Sequence, residues 1–331
     1  MPSFGKKGSS KTTRLFFATD LHGSERTFRK FLNAGKFYDA QVLVMGGDII
    51  GKIAVPIIQE APGRYRATLQ GTTESIDSEE ALKGLFDRLG MLGFYSKIMT
   101  EEEYRELSAD QAKVDALFHS LARQRLESWI ELSETRLGGT GIKCYVTGGN
   151  DDYPDVLDVM KTSGAKTFID CEGVVVPIDD QHTMISVGNS TLTPWKTPRE
   201  VTDEELGRII DGMIAQVTDM QRCIFDFHDP PKDSSLDTCP ELDWNTDPPA
   251  PIVKAGQLVM HGAGSQSVRK AIETHQPLLG LHGHIHESAG AARIGRTLCI
   301  NPGSEYGEGR LRGVLINLSD GNVDGYQMTS G

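Results

Sequence analysis

Thr12 to Ala18 reads TTRLFFA, an apolar run that stops at the polar sequence TDLHG and is predicted to be a strand. A helix is predicted from Ser24, with Phe28, Phe31 and Leu32 on one face and Gly35 closing it. The run DAQVLVMGGDII follows as a second strand, again passing into glycines and a carboxylate at Asp48. Strand, helix and strand make a βαβ start, with polar residues at the strands' C-terminal ends. In open α/β sheets that edge is where ligands bind.

Beyond residue 53 the rhythm breaks. Residues 53–70 hold short apolar pieces between proline and glycine, with a small hairpin expected around Tyr65 to Leu69. Residues 78–136 are predicted helical, because Val114, Leu117, Phe118, Leu121, Trp129 and Ile130 recur at steps suited to one helix face. Such a stripe is read as packing against the body of the protein rather than as a partner's docking face. Residues 60–138 are therefore a mainly helical insertion or cap.

The βα rhythm returns at IKCYVTGGND, residues 142–151. TFIDCEGVVVPI and HTMISVGNS are expected to be consecutive strands of a second sheet. A helix around 202–219, the strand CIFDFHDPP and a Pro-, Asp- and Gly-rich ordered loop or lid over 230–260 come next. Helix 265–275, the strand PLLGLHGHIHES and closing β-structure over 291–328, with a DG turn, complete the chain.

Composition narrows the class. At 331 residues, 38% hydrophobic and 24% charged, the chain can build one large domain over 12–331 with the insertion inside it. Residues 1–11 are expected to be a flexible polar tail. A net charge of -12 makes general nucleic-acid binding a poor expectation, since phosphate backbones are repelled at long range. No segment resembles a signal peptide or a membrane span. Five scattered cysteines without C-x-x-C give no disulfide framework, so a reducing, cytoplasmic location is expected.

The chemistry lies in an event that recurs five times: an apolar strand ends and a metal-binding type of side chain follows. These places are Asp20-Leu21-His22, Gly47-Asp48, Gly149-Asn150-Asp151, His228 and Gly283-His284-Ile285-His286. Spacing of two residues puts both side chains of D-x-H and H-x-H on one side if the chain is extended. Taken singly, Asp20-x-His22 and Gly47-Asp48 are as well explained as turn or cap residues and His228 as a satisfied surface histidine, whereas His284-x-His286 beside Gly283 is more specific. Taken together, each after a strand, they point to a metal site. Nitrogen and oxygen donors without thiolate suit Mn, Fe, Co, Ni or Zn, with Mn or Fe favoured. Seven ligands (Asp20, His22, Asp48, Asn150, His228, His284, His286) are too many for one tetrahedral zinc. They suit two divalent ions that share a carboxylate.

In this order the motifs resemble those of the calcineurin-like metallophosphoesterase superfamily: D-x-H, G-D, G-N-[DH], a lone H, and G-H-x-H. The resemblance covers residues 12–50 and 142–328, and residues 60–138 match no part of it. It implies a four-layer αββα sandwich of two mixed sheets flanked by helices. It also implies that Asp20, His22 and His286 hold one ion, that Asn150, His228 and His284 hold the other, and that Asp48 bridges them. Many phosphomonoesterases of the family carry histidine where this chain has Asp151. Here Asp151 is read as a support that orients His22 or His228, in preference to a general acid. Asp48, Asn150, Asp151 and His22 form the expected catalytic set.

The implied reaction is phosphate-ester hydrolysis by metal-bound hydroxide. The expected substrate is a small phosphodiester such as a cyclic nucleotide. A phosphomonoesterase, a nuclease-type phosphoesterase and a non-catalytic metal-stabilised interaction scaffold are the alternatives. The loop 229–264, the loop near Tyr306 and the insertion are candidate specificity elements. Arg64, Arg66, Lys232 and Arg269 are candidate anion contacts, though ordinary ion pairing explains each at least as well. The insertion and the β-rich end offer surfaces on which a homo-oligomer could form.

Overall fold

Leu15, Phe16, Phe17 and Ala18 are all buried, so the Thr13–Ala18 strand is covered on both faces and belongs in the middle of a layered structure. The structure, a computed structural model, describes residues 12–246 and 248–331. The expected tail over 1–11 lies outside the described residues.

Thr13–Ala18 pairs in parallel with Val42–Gly46, which pairs in parallel with Lys143–Thr147. The full order of this sheet is Asn322–Ser330, Arg312–Ser319, Thr13–Ala18, Val42–Gly46, Lys143–Thr147, Phe168–Asp170. A second six-stranded sheet runs Gly290–Ile294, Thr297–Asn301, Leu279–Leu281, Cys223–Phe227, Thr183–Val187, Val175–Pro177. Period-two alternation sends Leu15, Phe17, Val42 and Val44 toward Met184, Ile224, Leu279 and Ile300 of the second sheet. Phe16, Leu43 and Met45 face outward onto helices Glu25–Phe37, Gln111–Leu137 and Pro154–Thr162. Ile185 and Phe225 face outward onto Asp203–Ile214 and Gln266–His275. Helices, two mixed sheets and helices again make the expected αββα sandwich.

Several local expectations are corrected. The first helix runs past Gly35 to Phe37. Gly35 is buried against Ile142 and Leu43, so it serves close packing instead of termination. Within TFIDCEGVVVPI, Phe168–Asp170 joins the first sheet beside Lys143–Thr147, and Val175–Pro177 enters the second beside Thr183–Val187. Gly173, at φ +75°, lies in the crossing between them. The helix expected to reach 219 ends at Ile214. The 230–260 stretch is ordered as three small antiparallel ribbons, among them Thr238–Pro240 with Met260–Gly262. Asp320 and Gly321 both adopt left-handed backbone, at φ 46° and 75°, as the DG turn of the last hairpin requires. Among the described residues, no helix is long and apolar enough to cross a membrane.

The inserted region carries helices Glu79–Met91, Glu101–Ser108 and Gln111–Leu137 but also a four-stranded sheet. Its order is Thr72–Ile76, Arg64–Leu69, Ala54–Ala61, Tyr95–Thr100, over a small core of Val55, Ile57, Ala67, Ile76, Leu85 and Leu89. Tyr95–Thr100 interrupts the run expected to be helical. Its sequence YSKIMT buries Tyr95 and Met99, and Thr100 then caps the next helix through a capping box with Glu103.

The long helix packs on the main body, as its stripe implied. Trp129 is 1% exposed and stacks on Phe28 with centroids 4.0 Å apart and planes 4° from parallel. The Trp129→Ala variant is expected to lose about 3–5 kcal/mol of stability, measured by denaturant unfolding. A loss below about 1 kcal/mol would mean that this helix is not part of the main core.

Candidate metal centre

Each motif follows a parallel strand, so all five loops emerge at the same edge of the two sheets. Backbone hydrogen bonds lace the loops together. Asp20 N–H donates to Gly47 O at 3.0 Å, His22 N–H to Asp48 O at 2.9 Å, and Gly283 N–H to His228 O at 3.0 Å. Asp20, His22, Asp48 and His284 all hold left-handed backbone, with φ of 55°, 43°, 49° and 66°. Such conformations cost non-glycine residues about 1–3 kcal/mol each and persist where the surroundings impose them. Glycine is needed beside the ligands for space. A Cβ on Gly149 would stand 2.1 Å from Asp48 Oδ1, and one on Gly283 would stand 2.5 Å from Asp20 Oδ2.

All seven side chains expected to bind metal line this edge. Asp20, His22 and His286 bring ligand atoms within 4.8 Å of one another, and so do Asp48, His228 and His284. His22, Asp48 and Asp151 form an overlapping third group. His286 Nε2 lies 3.3 Å from Asp20 Oδ1 and 3.1 Å from His22 Nε2. His228 Nε2 lies 3.4 Å from Asp48 Oδ2 and 3.9 Å from Asp20 Oδ1.

The donor set fits divalent cations. His228 Nδ1 hydrogen-bonds Gly46 O at 2.8 Å, which turns Nε2 toward the carboxylates, where it is buried without a hydrogen-bond partner. Asn150 Oδ1 is buried and unpartnered in the same way. Polar atoms left bare in a protein interior are costly, and a cation would satisfy both.

Electrostatics agree. Burial would raise the Asp20 carboxyl, but His286 and His228 hold it below the usual carboxylate range. Burial acts likewise on Asp48, and His228, His22 and Lys52 hold it well below its ordinary value. Burial would lower His228, yet Asp48 and Asp20 lift it to about 10. A protonated His228 thus supplies positive charge that a bound cation would replace. Burial and then Lys52 keep His22 well below the ordinary imidazole value, while burial and then His228 push His284 to about 4. Both imidazoles are therefore neutral, the form that ligates metal.

Asp151 sits between the site and its rim. Its N–H donates to Asp48 Oδ1 at 2.9 Å, and its Oδ2 lies 3.7 Å from His22 Nδ1 and 2.5 Å from Lys52 Nζ. Burial and then Asp48 raise its carboxyl to about 6, against the opposing pull of Lys52.

Sequence reasoning missed Lys52, although it stands on the loop that carries Asp48. It also missed two buried braces. Asp152 accepts from Gly149 N–H at 2.7 Å, Ile49 N–H at 3.0 Å and Ile50 N–H at 2.8 Å, tying two motif loops together. Asn301 donates to Gly283 O at 3.2 Å and Ile285 O at 3.0 Å, holding the G-H-I-H loop. Asp152 was legible in principle as the residue after Asn150-Asp151. Asn301, at the end of another strand, carried no local signal. The four candidate anion contacts all have other partners: Arg64 with Asp77, Arg66 with Glu60 and Glu101, Lys232 with Gly262 O, and Arg269 with Glu273.

No family model matches the chain. It is 30% identical over 160 residues to the uncharacterized protein MJ1162 of Methanocaldococcus jannaschii, covering 46% of this chain and 65% of that protein. The chain thus spans slightly less than two thirds of the length of this curated relative. Among solved structures, the protein TT1561 of Thermus thermophilus aligns over 97% of this chain and 99% of its own, with a TM-score of 0.53 and 11% identity. Another crystal structure aligns over the same shares at a TM-score of 0.55 and 14% identity. These are likenesses of fold.

The Gly149→Ala variant is expected to weaken Mn²⁺ binding at least about 10-fold by isothermal titration, because its methyl displaces the Asp48 carboxylate. Gly212→Ala, whose Cβ meets nothing within 4 Å, serves as the control and should bind as the parent does. Unchanged binding by Gly149→Ala would refute the proposed place of Asp48.

Proposed function

We propose that this chain, which has the fold of the calcineurin-like metallophosphoesterase superfamily, is a metal-dependent phosphoesterase acting on a small phosphodiester. One observation carries the reading: the carboxylate and imidazole side chains of Asp20, His22, Asp48, Asp151, His228, His284 and His286, from five separated loops, meet at one sheet edge, with Asp48 beside both His22 and His228. Asp20, His22 and His286 would hold one ion and Asn150, His228 and His284 the other, with Asp48 available to both. Two divalent ions, Mn or Fe by donor type, would supply an ionised water nucleophile at neutral pH and neutralise the phosphoryl oxygens.

The chain's own residues do the rest. Buried neutral His22 and His284 present lone pairs without needing to shed a proton. Asp48 is held in place by the Asp151 N–H, and Asp20 by the His284 N–H at 3.2 Å from both carboxylate oxygens. Lys52, 44% exposed at the rim, is the cation placed to meet an incoming phosphate oxygen. Asp151 offsets much of its charge. A rim of small net positive charge suits a singly charged diester, such as a cyclic nucleotide, better than a doubly charged monoester. The Tyr306 ring lies 4.5 Å from the His22 ring and adds an aromatic surface beside that ligand. The net charge of -12 supports a small substrate over nucleic acid.

The test is hydrolysis by protein loaded with Mn²⁺. Bis-aryl phosphate, aryl phosphate, cyclic nucleotides and short oligonucleotides are compared, with Asp48→Asn as control. Diesters are expected to turn over faster than the monoester, and Asp48→Asn to lose at least about 100-fold in kcat/KM. Full activity in Asp48→Asn would place the hydrolysis elsewhere. Turnover confined to the monoester or to oligonucleotides would replace the substrate class. No turnover of any of them by protein carrying both ions would favour the interaction scaffold.

A further inference from the structure

Asn150 poses an orientation problem. Its side chain must offer Oδ1, not the NH₂, to a cation, and the two ends of an amide have nearly the same shape. The residue is 3% exposed, so solvent does not decide which end faces the site. Its orientation has to be set by neighbours.

The neighbours are in the segment that follows residue 190. Asn150 Nδ2 donates to Thr197 Oγ1 at 2.8 Å, and Thr197 Oγ1 donates to Glu200 Oε1 at 2.9 Å. Glu200 is fixed in turn by Thr193, whose N–H donates to Oε2 at 3.0 Å and whose hydroxyl donates to Oε1. The same segment grips the main chain of the motif. Arg199 N–H donates to Asn150 O at 3.1 Å and Arg199 Nη1 to Gly149 O at 3.2 Å, while Glu172 pairs with the guanidinium.

Proton bookkeeping gives this chain a direction. A hydroxyl has one proton. An ionised carboxylate only accepts, so Thr197 must donate to Glu200. Its oxygen is then left as an acceptor toward Asn150. Asn150 must answer with its NH₂, which leaves Oδ1 as the free end of the amide, buried and with no protein partner. Asp151 Oδ1 accepts from the same Nδ2 at 3.3 Å and favours the same rotamer. Without the carboxylate behind it, Thr197 could rotate and donate to Oδ1, and the amide could turn over to aim its NH₂ at the cation.

We propose that Thr197 and Glu200 are positioning residues that fix the amide orientation of Asn150 and thereby build the second ion's site. The inference rests on the metal-centre reading above and adds residues that lie outside all five motifs. It also gives the 190–201 segment a task. Thr191 anchors that segment to Asp229, next to ligand His228, through its N–H at 2.7 Å and hydroxyl at 2.9 Å. The segment is thus bonded to Asn150 and to the residue that follows His228, and Asn150 and His228 are assigned to the same ion.

Mn²⁺ titration followed by electron paramagnetic resonance tests the proposal, because it counts ions and detects coupling between them without any substrate. The parent chain is expected to bind two ions and to show the spin-coupled signal of a pair. Thr197→Val keeps the shape and removes the hydroxyl. It should bind the first ion as the parent does and the second about 10- to 100-fold more weakly, losing the coupled signal at intermediate Mn²⁺. Thr197→Ser should restore the parent's behaviour. Glu200→Gln, which can donate as well as accept, should weaken the second ion in the same direction. Thr197→Val binding both ions with parental affinity would overturn the proposal, and so would equal weakening of both ions with a lowered melting temperature. A parent chain that binds fewer than two ions would overturn the metal-centre reading itself, and the relay with it.

Discussion

Asp20 and Asp48 are two carboxylates buried almost completely at one edge of two stacked sheets, and their charge has to be balanced. Nearly everything near the site follows from that requirement. Imidazoles of His22, His228, His284 and His286 surround the pair, and four of the residues involved hold left-handed backbone. Glycines lie where a methyl group would strike a carboxylate oxygen. Without cations the balance falls to protonated His228 and to His286, whose acidity is weakened by Asp20 against the effect of burial. The same side chains are the ones that would hold the cations proposed above, and coordination would then offset the strain in their loops.

The sandwich supplies the rigidity that such strain needs. Parallel strands in both sheets deliver five loops to one edge, and apolar packing on three levels keeps those strand ends fixed. The inserted region contributes to this more directly than its place in sequence implies. Arg125, on the long helix, donates to Gly23 O at 2.5 Å. Ser24 donates to Met91 O at 2.6 Å, and Gly51 N–H donates to Tyr95 OH at 2.7 Å. A Cβ on Gly93 would fall 1.9 Å from His22 O, so the insertion is pressed directly against the back of the D-x-H loop.

Much of this was legible in the chain itself, because strand ends followed by glycine and a ligand-type side chain are local patterns. The βαβ start and the seven candidate ligands come from such patterns, whereas the αββα layering was implied by the family resemblance that the motifs carry. What stayed hidden depends on contacts across the fold. Tyr95–Thr100 reads as part of a helical stretch until it pairs with Ala54–Ala61, and Phe168–Asp170 is too short for its own pattern to choose a sheet. Lys52, Asp152, Asn301 and Thr197 are ordinary polar residues in sequence. Their importance arises from what they touch, and hydrogen-bond geometry has no period that a sequence could display.

Anomalous diffraction from crystals grown with Mn²⁺ tests the centre most directly, since it locates ions independently of affinity or turnover. Two peaks are expected, one bounded by Asp20, His22 and His286 and the other by Asn150, His228 and His284, with Asp48 in contact with both. No peak at this edge at saturating Mn²⁺, or a single ion that leaves Asn150 Oδ1 and His228 Nε2 unpartnered, would contradict the account.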